Sequence, residues 1–154
     1  MKLRILAVGK LKEPHWRAAA DEYLKRLSRY ATVEVTEVAD RDLAAGAQRA
    51  MAAEAADLVR ALPAGTRVVA LDAAGGERSS EELAAWLEGC MVDGASDVTF
   101  VVGGSAGLAP EVLARADERL SLSRMTLPHQ LCRVVLLEQL YRAFRIIRGE
   151  PYHL

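Results

Sequence analysis

The stretch DVTFVVGGSAG, Asp97–Gly107, joins a short apolar run to a loop rich in glycine, and it decides the fold class. Apolar runs of this length without strict polar alternation are typical of strands that are buried on both faces of a parallel sheet. Similar β-branched or aliphatic runs recur along the chain, and we predict four further strands. They lie at Leu3 to Val8, Val33 to Val38, Arg67 to Asp72 and Arg119 to Leu122.

Segments with helical periodicity separate these runs. After Pro14, a favoured first-turn residue, apolar side chains recur at spacings of three and four. Ser79 and Glu82 have the spacing of a capping box. Five helices are predicted. The first begins near Pro14, the second extends from about Leu43 to Leu62, and the third carries Leu83, Trp86 and Leu87. The fourth runs from Pro110 to Leu113, and the fifth spans His129 to Arg148. The alternation predicts an α/β fold, a parallel sheet with helices on both faces.

Length and composition indicate one globular domain over residues 1–154, with 51% hydrophobic and 27% charged residues. No apolar stretch approaches the roughly 18 residues that a membrane helix needs. Lys10 and Lys12 end the first apolar run well short of a signal-peptide core, so we expect a cytoplasmic protein. Cys90 and Cys132 lack metal-ligand spacing, and we expect reduced packing residues and no metal.

The net charge of −1 hides a segregation of charge along the chain. Residues 1–30 contain eight lysines and arginines against three acidic residues, and residues 119–154 contain six against two. The intervening residues contain six against sixteen. Two basic ends can form a surface for a polyanion, or they can pair with the acidic middle of the same chain or of a partner chain.

The loop Gly103–Gly107 follows a strand and precedes a helix, where ligands bind in open α/β sheets. It has neither the dinucleotide fingerprint nor the Walker pattern. It does contain G-x-S-x-G, which makes Ser105 a formal candidate for the nucleophile of a hydrolase. The pattern is short enough to occur by chance, and an ordinary tight strand-to-helix turn is the favoured interpretation.

The segment SLSRMTLPHQ, residues 121–130, combines small, hydroxylated and apolar side chains. Pro128 biases Leu127 toward an extended conformation, so we predict non-helical backbone there. Such a segment offers free N–H and C=O groups to the edge of a heterocycle, with Leu122, Met125 and Leu127 as an apolar wall. A plain connecting loop is the alternative.

The last helix carries one arginine, Arg133, on its apolar side. A buried charge is costly without a partner, so Arg133 either pairs with a carboxylate, lies at the rim of the apolar face, or points at an anionic ligand or RNA phosphate. Arg142 lies on the other side, four residues after Glu138, as in a solvated helical ion pair. The basic side leads into Tyr152 and His153, a stacking ring and a group that titrates near neutrality.

Three stretches in this order, VVGGSAGL, LSLSRMTLPHQLCRVVLLEQLYRAFRI and the terminal GEPYHL, resemble the bacterial ribosomal RNA large subunit methyltransferase H family of the SPOUT class. The resemblance extends to the start, MKLRILAVGKLKEPHW, and to EYLKRL, and so covers most of the chain. It implies a C-terminal trefoil knot, an exception to the rule against knotted chains. It also implies a homodimer that methylates N3 of a pseudouridine in the helix 69 loop of 23S rRNA on the assembled ribosome.

The same resemblance implies that S-adenosylmethionine is the cofactor and is held by backbone groups. By position, the binding residues would be Leu71, Gly103, Gly104, Leu122, Ser123, Arg124, Met125, Thr126 and Leu127.

For the transfer itself, the N3 imide must lose its proton to attack well, so a side chain must accept or steer that proton. His153 is a candidate base, Tyr152 a candidate for stacking on or steering the ring, and Arg142 or Arg133 a candidate for holding phosphate or an anionic base. The family tail commonly continues with a basic residue after Tyr-His, whereas this chain ends in Leu154. A non-enzymatic RNA-binding or ribosome-binding module and the Ser105 hydrolase are the alternative functions.

Overall fold

The structure, a computed structural model, describes residues 1–152. These residues form five strands and five α-helices that largely alternate along the chain. The strands are β1 (Lys2–Val8), β2 (Thr32–Val38), β3 (Arg67–Glu77), β4 (Asp97–Val102) and β5 (Glu118–Ser121). The helices are α1 (Pro14–Leu27), α2 (Ala47–Ala61), α3 (Ser80–Val92), α4 (Pro110–Leu113) and α5 (His129–Ile147).

The strands form one sheet in the order β2-β1-β4-β3-β5, and every neighbouring pair is parallel. The predicted parallel sheet is therefore confirmed. Because all carboxyl ends lie at one edge, the residues that follow β3, β4 and β5 emerge close together. The trefoil knot that the resemblance implies stays a prediction.

Successive side chains of a strand point to opposite faces, and both faces of this sheet are covered. Leu3, Ile5 and Phe100 point into a core that α1, α3 and α5 close. Leu6 and Val101 point into a second core, closed by α2 and α4. The prediction of helices on both faces is confirmed.

The predicted helix from Leu43 to Leu62 is shorter than expected. Leu43–Ala45 is a separate 3-10 turn, capped by the Asp42 carboxylate, which accepts a hydrogen bond from the backbone N–H of Ala44 at 2.9 Å. Gly46 has a φ of 117°, which interrupts the helical backbone, and α2 begins at Ala47. The capping box is confirmed, because the Ser79 hydroxyl accepts from the N–H of Glu82 and the Glu82 carboxylate accepts from that of Ser79.

Strand β3 continues to Glu77, five residues beyond the predicted end. Its pairing with β5 is irregular, with a register shift between Leu71 and Gly76. The late part of the strand passes so close to β5 that a Cβ on Gly75 would lie 2.7 Å from the carbonyl carbon of Arg119. Residues 72–75, inside the shift, are therefore not paired with β5. They lie at the carboxyl edge of the sheet, where ligands bind in open α/β proteins.

Candidate functional site

Three segments meet at the carboxyl edge of the sheet and enclose a cavity of about 610 Å³. They are the end of the regular part of β3, the loop after β4, and the segment between β5 and α5. The lining residues are Leu71, Ala73, Val102, Gly103, Gly104, Ser105, Gly107, Thr126, Leu127, Pro128, His129 and Cys132. A cavity of this size is in the range of sites for small molecules and cofactors.

A second cavity of about 140 Å³ adjoins the first and shares part of its wall. Leu71, Thr126 and Leu127 line both cavities. Leu122, Ser123 and Met125 line the second one, whereas Arg124 lines neither. Eight of the nine residues predicted to bind the cofactor therefore lie on one continuous hollow, although their contact with a cofactor stays a prediction.

The loop after β4 folds tightly on itself at the wall of the cavity. The N–H of Gly107 donates to the carbonyl of Gly104 at 3.0 Å, and Gly107 has a φ of 79°. A Cβ on Gly103 would lie 2.7 Å from the carbonyl carbon and oxygen of Gly107. Only glycine fits at position 103, so bare backbone forms this side of the hollow.

The segment between β5 and α5 is non-helical, as predicted. Its bend is held by Ser123, whose hydroxyl accepts from the N–H of Met125 at 2.9 Å and whose carbonyl accepts from the Ser121 hydroxyl at 3.0 Å. Pro128 precedes the first residue of α5 in an extended conformation, with φ −56° and ψ 144°. The segment thus presents backbone polar groups and apolar side chains to the same hollow.

Sequence reasoning missed Ala73, Val102 and Cys132 in this wall, whereas Pro128 and His129 belong to the segment 121–130 that it singled out. Ala73 follows Leu71 inside the register shift of β3, and Pro128, His129 and Cys132 lie at the start of α5. The spacing of His129 and Cys132 by one helical turn was a usable signal, because it places both side chains on one face. Burial raises the pKa of the Cys132 thiol, which keeps it protonated and poorly nucleophilic.

Ser105 is exposed on the glycine loop and lines the larger cavity. Within residues 1–152, no histidine or carboxylate forms a hydrogen bond with its hydroxyl. A nucleophilic serine needs such a base within hydrogen-bond reach. The geometry therefore gives no support to the hydrolase alternative.

Arg133 is paired with a carboxylate, one of the three alternatives that the sequence allowed. Its guanidinium donates to Glu37 at 2.7 Å and to the carbonyl of Gly9 at 3.0 Å, and only 7% of the side chain is exposed. It lies in a separate hollow between α1, β2 and α5 and does not line the cavity described above. These contacts fasten α5 to the edge strand β2, and a role on RNA or substrate stays a prediction.

We expect Arg133→Met to lower the free energy of unfolding by about 3 kcal/mol, because it leaves Glu37 without its partner in a mostly buried place. The double variant Arg133→Met/Glu37→Leu should recover part of this loss, because neither charge is then stranded. Arg119→Met, which removes a half-exposed pair with Asp72 at 3.8 Å, should cost less than about 1 kcal/mol. Urea unfolding measures all three, and equal losses in the two single variants would contradict the assignment.

The described part of the tail is folded back onto α5. The Tyr152 hydroxyl donates to Glu138 at 3.1 Å, and its ring meets that of Tyr141 edge to face at 4.9 Å. The Arg142 guanidinium lies 4.6 Å from the centre of the Tyr152 ring and also donates to Glu138 at 3.0 Å. The predicted pair of Glu138 with Arg142 is confirmed, but it is partly buried rather than solvated, because Tyr152 covers it. His153 and Leu154 lie outside the described residues.

Burial, and then the hydrogen bond to Glu138, raises the pKa of Tyr152 to about 12. The phenol therefore stays protonated at neutral pH and can donate a hydrogen bond or stack, but it is unsuited to accept a proton as a base.

We expect an absorbance titration to show one tyrosine that ionises near pH 12 and that disappears in Tyr152→Phe. Glu138→Gln should move this ionisation to lower pH, because the negative charge that opposes the phenolate is removed. Glu88→Gln, which changes an exposed carboxylate on α3, serves as the control and should leave it in place. An unchanged titration in Glu138→Gln would disprove the coupling.

The described end of the tail, Tyr152, lies apart from the cavity of its own chain. Cys132 is the residue of the cavity wall that lies furthest along α5, and Tyr141, under the Tyr152 ring, lies nine residues further along the helix. At 1.5 Å per residue the two positions are about 14 Å apart along the helix axis.

Within residues 1–152, no group of three or more histidine, cysteine, aspartate or glutamate side chains is placed to hold a metal ion. None of the helices in that part of the chain combines the length and the apolar character that crossing a membrane requires.

A parallel α/β sheet with a hollow of glycine backbone at its carboxyl edge defines a class of proteins that bind small molecules or cofactors there. A family model described as "Predicted SPOUT methyltransferase" matches residues 1–153. The chain belongs to the SPOUT methyltransferase family, and the resemblance inferred from its sequence is confirmed.

Full-length relatives are similar to this chain. A protein of Acetivibrio thermocellus named ribosomal RNA large subunit methyltransferase H is 50% identical over 158 residues, which cover 99% of both chains. A protein of Pelotomaculum thermopropionicum with the same name is 51% identical over 156 residues, 98% of both chains. A solved structure from a study of 2-OH methylation of C/U34 on tRNA covers 97% of this chain and 98% of its own, with 19% identity and a TM-score of 0.50. That likeness shows the fold alone.

Proposed function

We propose that this protein is a ribosomal RNA methyltransferase that uses S-adenosylmethionine to methylate N3 of a pseudouridine in the helix 69 loop of 23S rRNA, on the assembled ribosome in the cytoplasm. The observation that carries the proposal is the junction of the glycine loop, Leu71 and the segment Leu122 to Leu127 in one hollow. The names of the two full-length relatives support the large-subunit rRNA as the substrate.

The hollow fits the cofactor in size and in chemistry. Leu71, Leu122 and Leu127 provide apolar surface for a flat ring, and backbone groups of the bend around Ser123 lie beside it. Position 103 has no space for a side chain, so a ligand can approach the backbone closely. S-adenosylmethionine, when bound, supplies an electrophilic methyl group on a sulfonium centre.

We propose that the active protein is a homodimer, because Tyr152, the described end of the tail, packs away from the cavity of its own chain. About 14 Å of helix α5 separates Cys132 in the cavity wall from the ring on which Tyr152 packs. A two-fold arrangement that sets the C-terminal end of α5 beside the cavity of a second copy unites the two parts. Each site would then combine the hollow of one subunit with the tail of the other.

The chain's own residues would position the acceptor and manage its proton. Tyr152, protonated and packed edge to face on Tyr141, is suited to stack on the base or to donate a hydrogen bond to it. Arg142, beside that ring, is suited to stabilise negative charge that develops on the base. His153 remains the proposed base. His129 offers a second imidazole in the cavity wall, and within residues 1–152 no hydrogen bond or ion pair engages it.

Calorimetric titration with S-adenosylmethionine and mass mapping of rRNA test the proposal. Binding in the micromolar range, together with one methyl group that is missing from 23S rRNA of a strain without this gene and restored by the purified protein, is the expected result. A folded protein that binds no S-adenosylmethionine would contradict it. Such a protein that still binds ribosomes would instead be an RNA-binding module.

Ser105→Ala separates the proposed activity from a hydrolase. The side chain is exposed and has no basic partner among the described residues, so we expect the variant to keep most of its methyl transfer to ribosomes. A hydrolase would lose its activity on removal of the nucleophile. Loss of an esterase activity in the variant, with no methyl transfer in either protein, would favour the hydrolase.

A further inference from the structure

The C-terminal ends of α1 and α5 lie side by side, and aromatic rings from both ends pack against one another. The Tyr30 ring, just after α1, stacks on Phe144 of α5 with ring centres 5.5 Å apart and an interplanar angle of 12°. It also meets Tyr141 edge to face at 6.1 Å, and Tyr141 in turn contacts Tyr152. The rings thus form a continuous row that ends at the tail.

Cations lie on these rings and at the same two helix ends, and carboxylates of residues 1–152 neutralise only some of them. Arg26 pairs with Glu22 at 2.9 Å. Arg145 pairs with Glu150 at 2.6 Å. The remaining cations at the two helix ends are Lys25, Arg29 and Arg148. All three are exposed, and within residues 1–152 no carboxylate pairs with any of them.

Several other basic residues at the chain ends are neutralised by the acidic middle of the chain. Lys2 and Arg4 pair with Glu34, and Arg133 pairs with Glu37, so part of the basic charge at the chain ends is used against the acidic middle. Lys25, Arg29 and Arg148, which we call the helix-end cluster, are exposed cations without a carboxylate partner in the described part of the chain.

The surroundings of the cluster favour a nucleic acid as its partner. The Arg148 guanidinium lies 5.1 Å from the centre of the Tyr30 ring, which is partly exposed, whereas Tyr141 and Phe144 are buried in the core. An exposed cation beside an accessible ring is typical of surfaces that follow a phosphate backbone and stack on bases. An acidic protein surface would use the charges but would have no need of the ring.

We infer that the helix-end cluster binds phosphates of the rRNA next to the target nucleotide. The inference rests on the proposed function, because the aromatic row connects the cluster to Tyr152 and the tail. It adds that the subunit that supplies the tail also holds the RNA, while the other subunit holds the cofactor. Cofactor and RNA contacts are thereby divided between the two chains at each site.

The test compares two double variants that remove the same charge. Arg29→Gln/Arg148→Gln removes two charges of the cluster, and Arg49→Gln/Arg115→Gln removes two exposed arginines that also lack an acidic partner within residues 1–152. Arg49 lies on α2 and Arg115 just after α4, on the opposite face of the sheet. Binding to purified ribosomes is measured over a series of salt concentrations, with a 23S rRNA fragment as a second probe.

We expect the cluster variant to reduce the slope of log affinity against log salt by about 2, one unit for each lost phosphate contact. The ratio of the affinity of the unchanged protein to that of the cluster variant should then be about 16-fold larger at 50 mM salt than at 200 mM salt. The KM for ribosomes should rise while kcat is kept. Arg29→Lys/Arg148→Lys should restore the slope, and the control variant should match the unchanged protein.

Equal slopes in the cluster variant and the control variant would overturn the inference. So would a loss of affinity for ribosomes without any loss for the rRNA fragment, because the partner would then be a ribosomal protein. Neither result touches the proposed function, which fails instead if the unchanged protein binds no S-adenosylmethionine or transfers no methyl group.

Discussion

Gly103→Ala should weaken the binding of S-adenosylmethionine by about 10- to 100-fold and abolish methyl transfer at ordinary cofactor concentrations. The new Cβ would lie 2.7 Å from the backbone of Gly107, so the loop must open. Overpacking of this kind costs about 1–3 kcal/mol, and each 1.4 kcal/mol corresponds to about a factor of ten in affinity. The loss falls on binding because this loop forms the wall of the cavity.

Gly89→Ala is the matched control for this substitution. Gly89 lies inside α3, and a Cβ there would meet no atom within 4 Å. Alanine should stabilise the helix by up to about 1 kcal/mol and leave cofactor binding unchanged. Calorimetry measures the affinities of both variants. A Gly103→Ala protein that binds as tightly as the Gly89→Ala protein would show that the glycine loop is not part of the cofactor site.

Deletion of Tyr152–Leu154 should eliminate turnover on ribosomes and leave the affinity for S-adenosylmethionine nearly unchanged. The described part of this tail packs on Tyr141 and Glu138 and does not line the cavity, so its removal leaves the cavity wall in place. A radiolabelled methyl-transfer assay and calorimetry on the same preparation measure the two effects. A truncated protein with full activity would refute the role of the tail.

Mixed dimers extend this experiment to the question of which subunit supplies the tail. Chains without Tyr152–Leu154 are combined with Gly103→Ala chains, which keep the tail but have a defective cavity. If the tail acts on the partner's cavity, each mixed dimer has one complete site, and random pairing of equal amounts should restore about a quarter of the activity of the unchanged protein. If the tail acts within its own chain, the mixture should stay inactive.

Much of the fold followed from periodicity and from a few local signals. Apolar runs and proline positions located each strand and helix, because the residues of an element themselves determine its burial pattern and where its backbone can begin or end. The two main errors, near Gly46 and beyond Asp72, concern backbone that deviates from a regular element. Such deviations depend on what a distant segment does, as in the approach of β3 to the backbone of Arg119.

The candidate site also has parts that could be predicted from the sequence and parts that could not. The glycine loop and the segment before α5 were each recognised from sequence, and the family resemblance placed them together in one cofactor site. The partner of Arg133 could not be predicted, because Glu37 lies 96 residues away in the sequence. Cys132 was expected only to pack, and its spacing of one helical turn from His129 was the local signal that could have placed it in the cavity wall.

The position of β1 between β2 and β4 determines when the chain can fold during its synthesis. Lys2 aligns with Asp97, and the face that contains Leu3 and Ile5 is closed by Leu136 and Leu140 of the final helix. A nascent chain therefore cannot complete this core until nearly all of it has left the exit tunnel. Contacts between such distant residues make folding slow, and the unfinished chain exposes unpaired strand edges in the meantime. We expect synthesis of this protein to depend on chaperones more than that of a helical bundle of equal length.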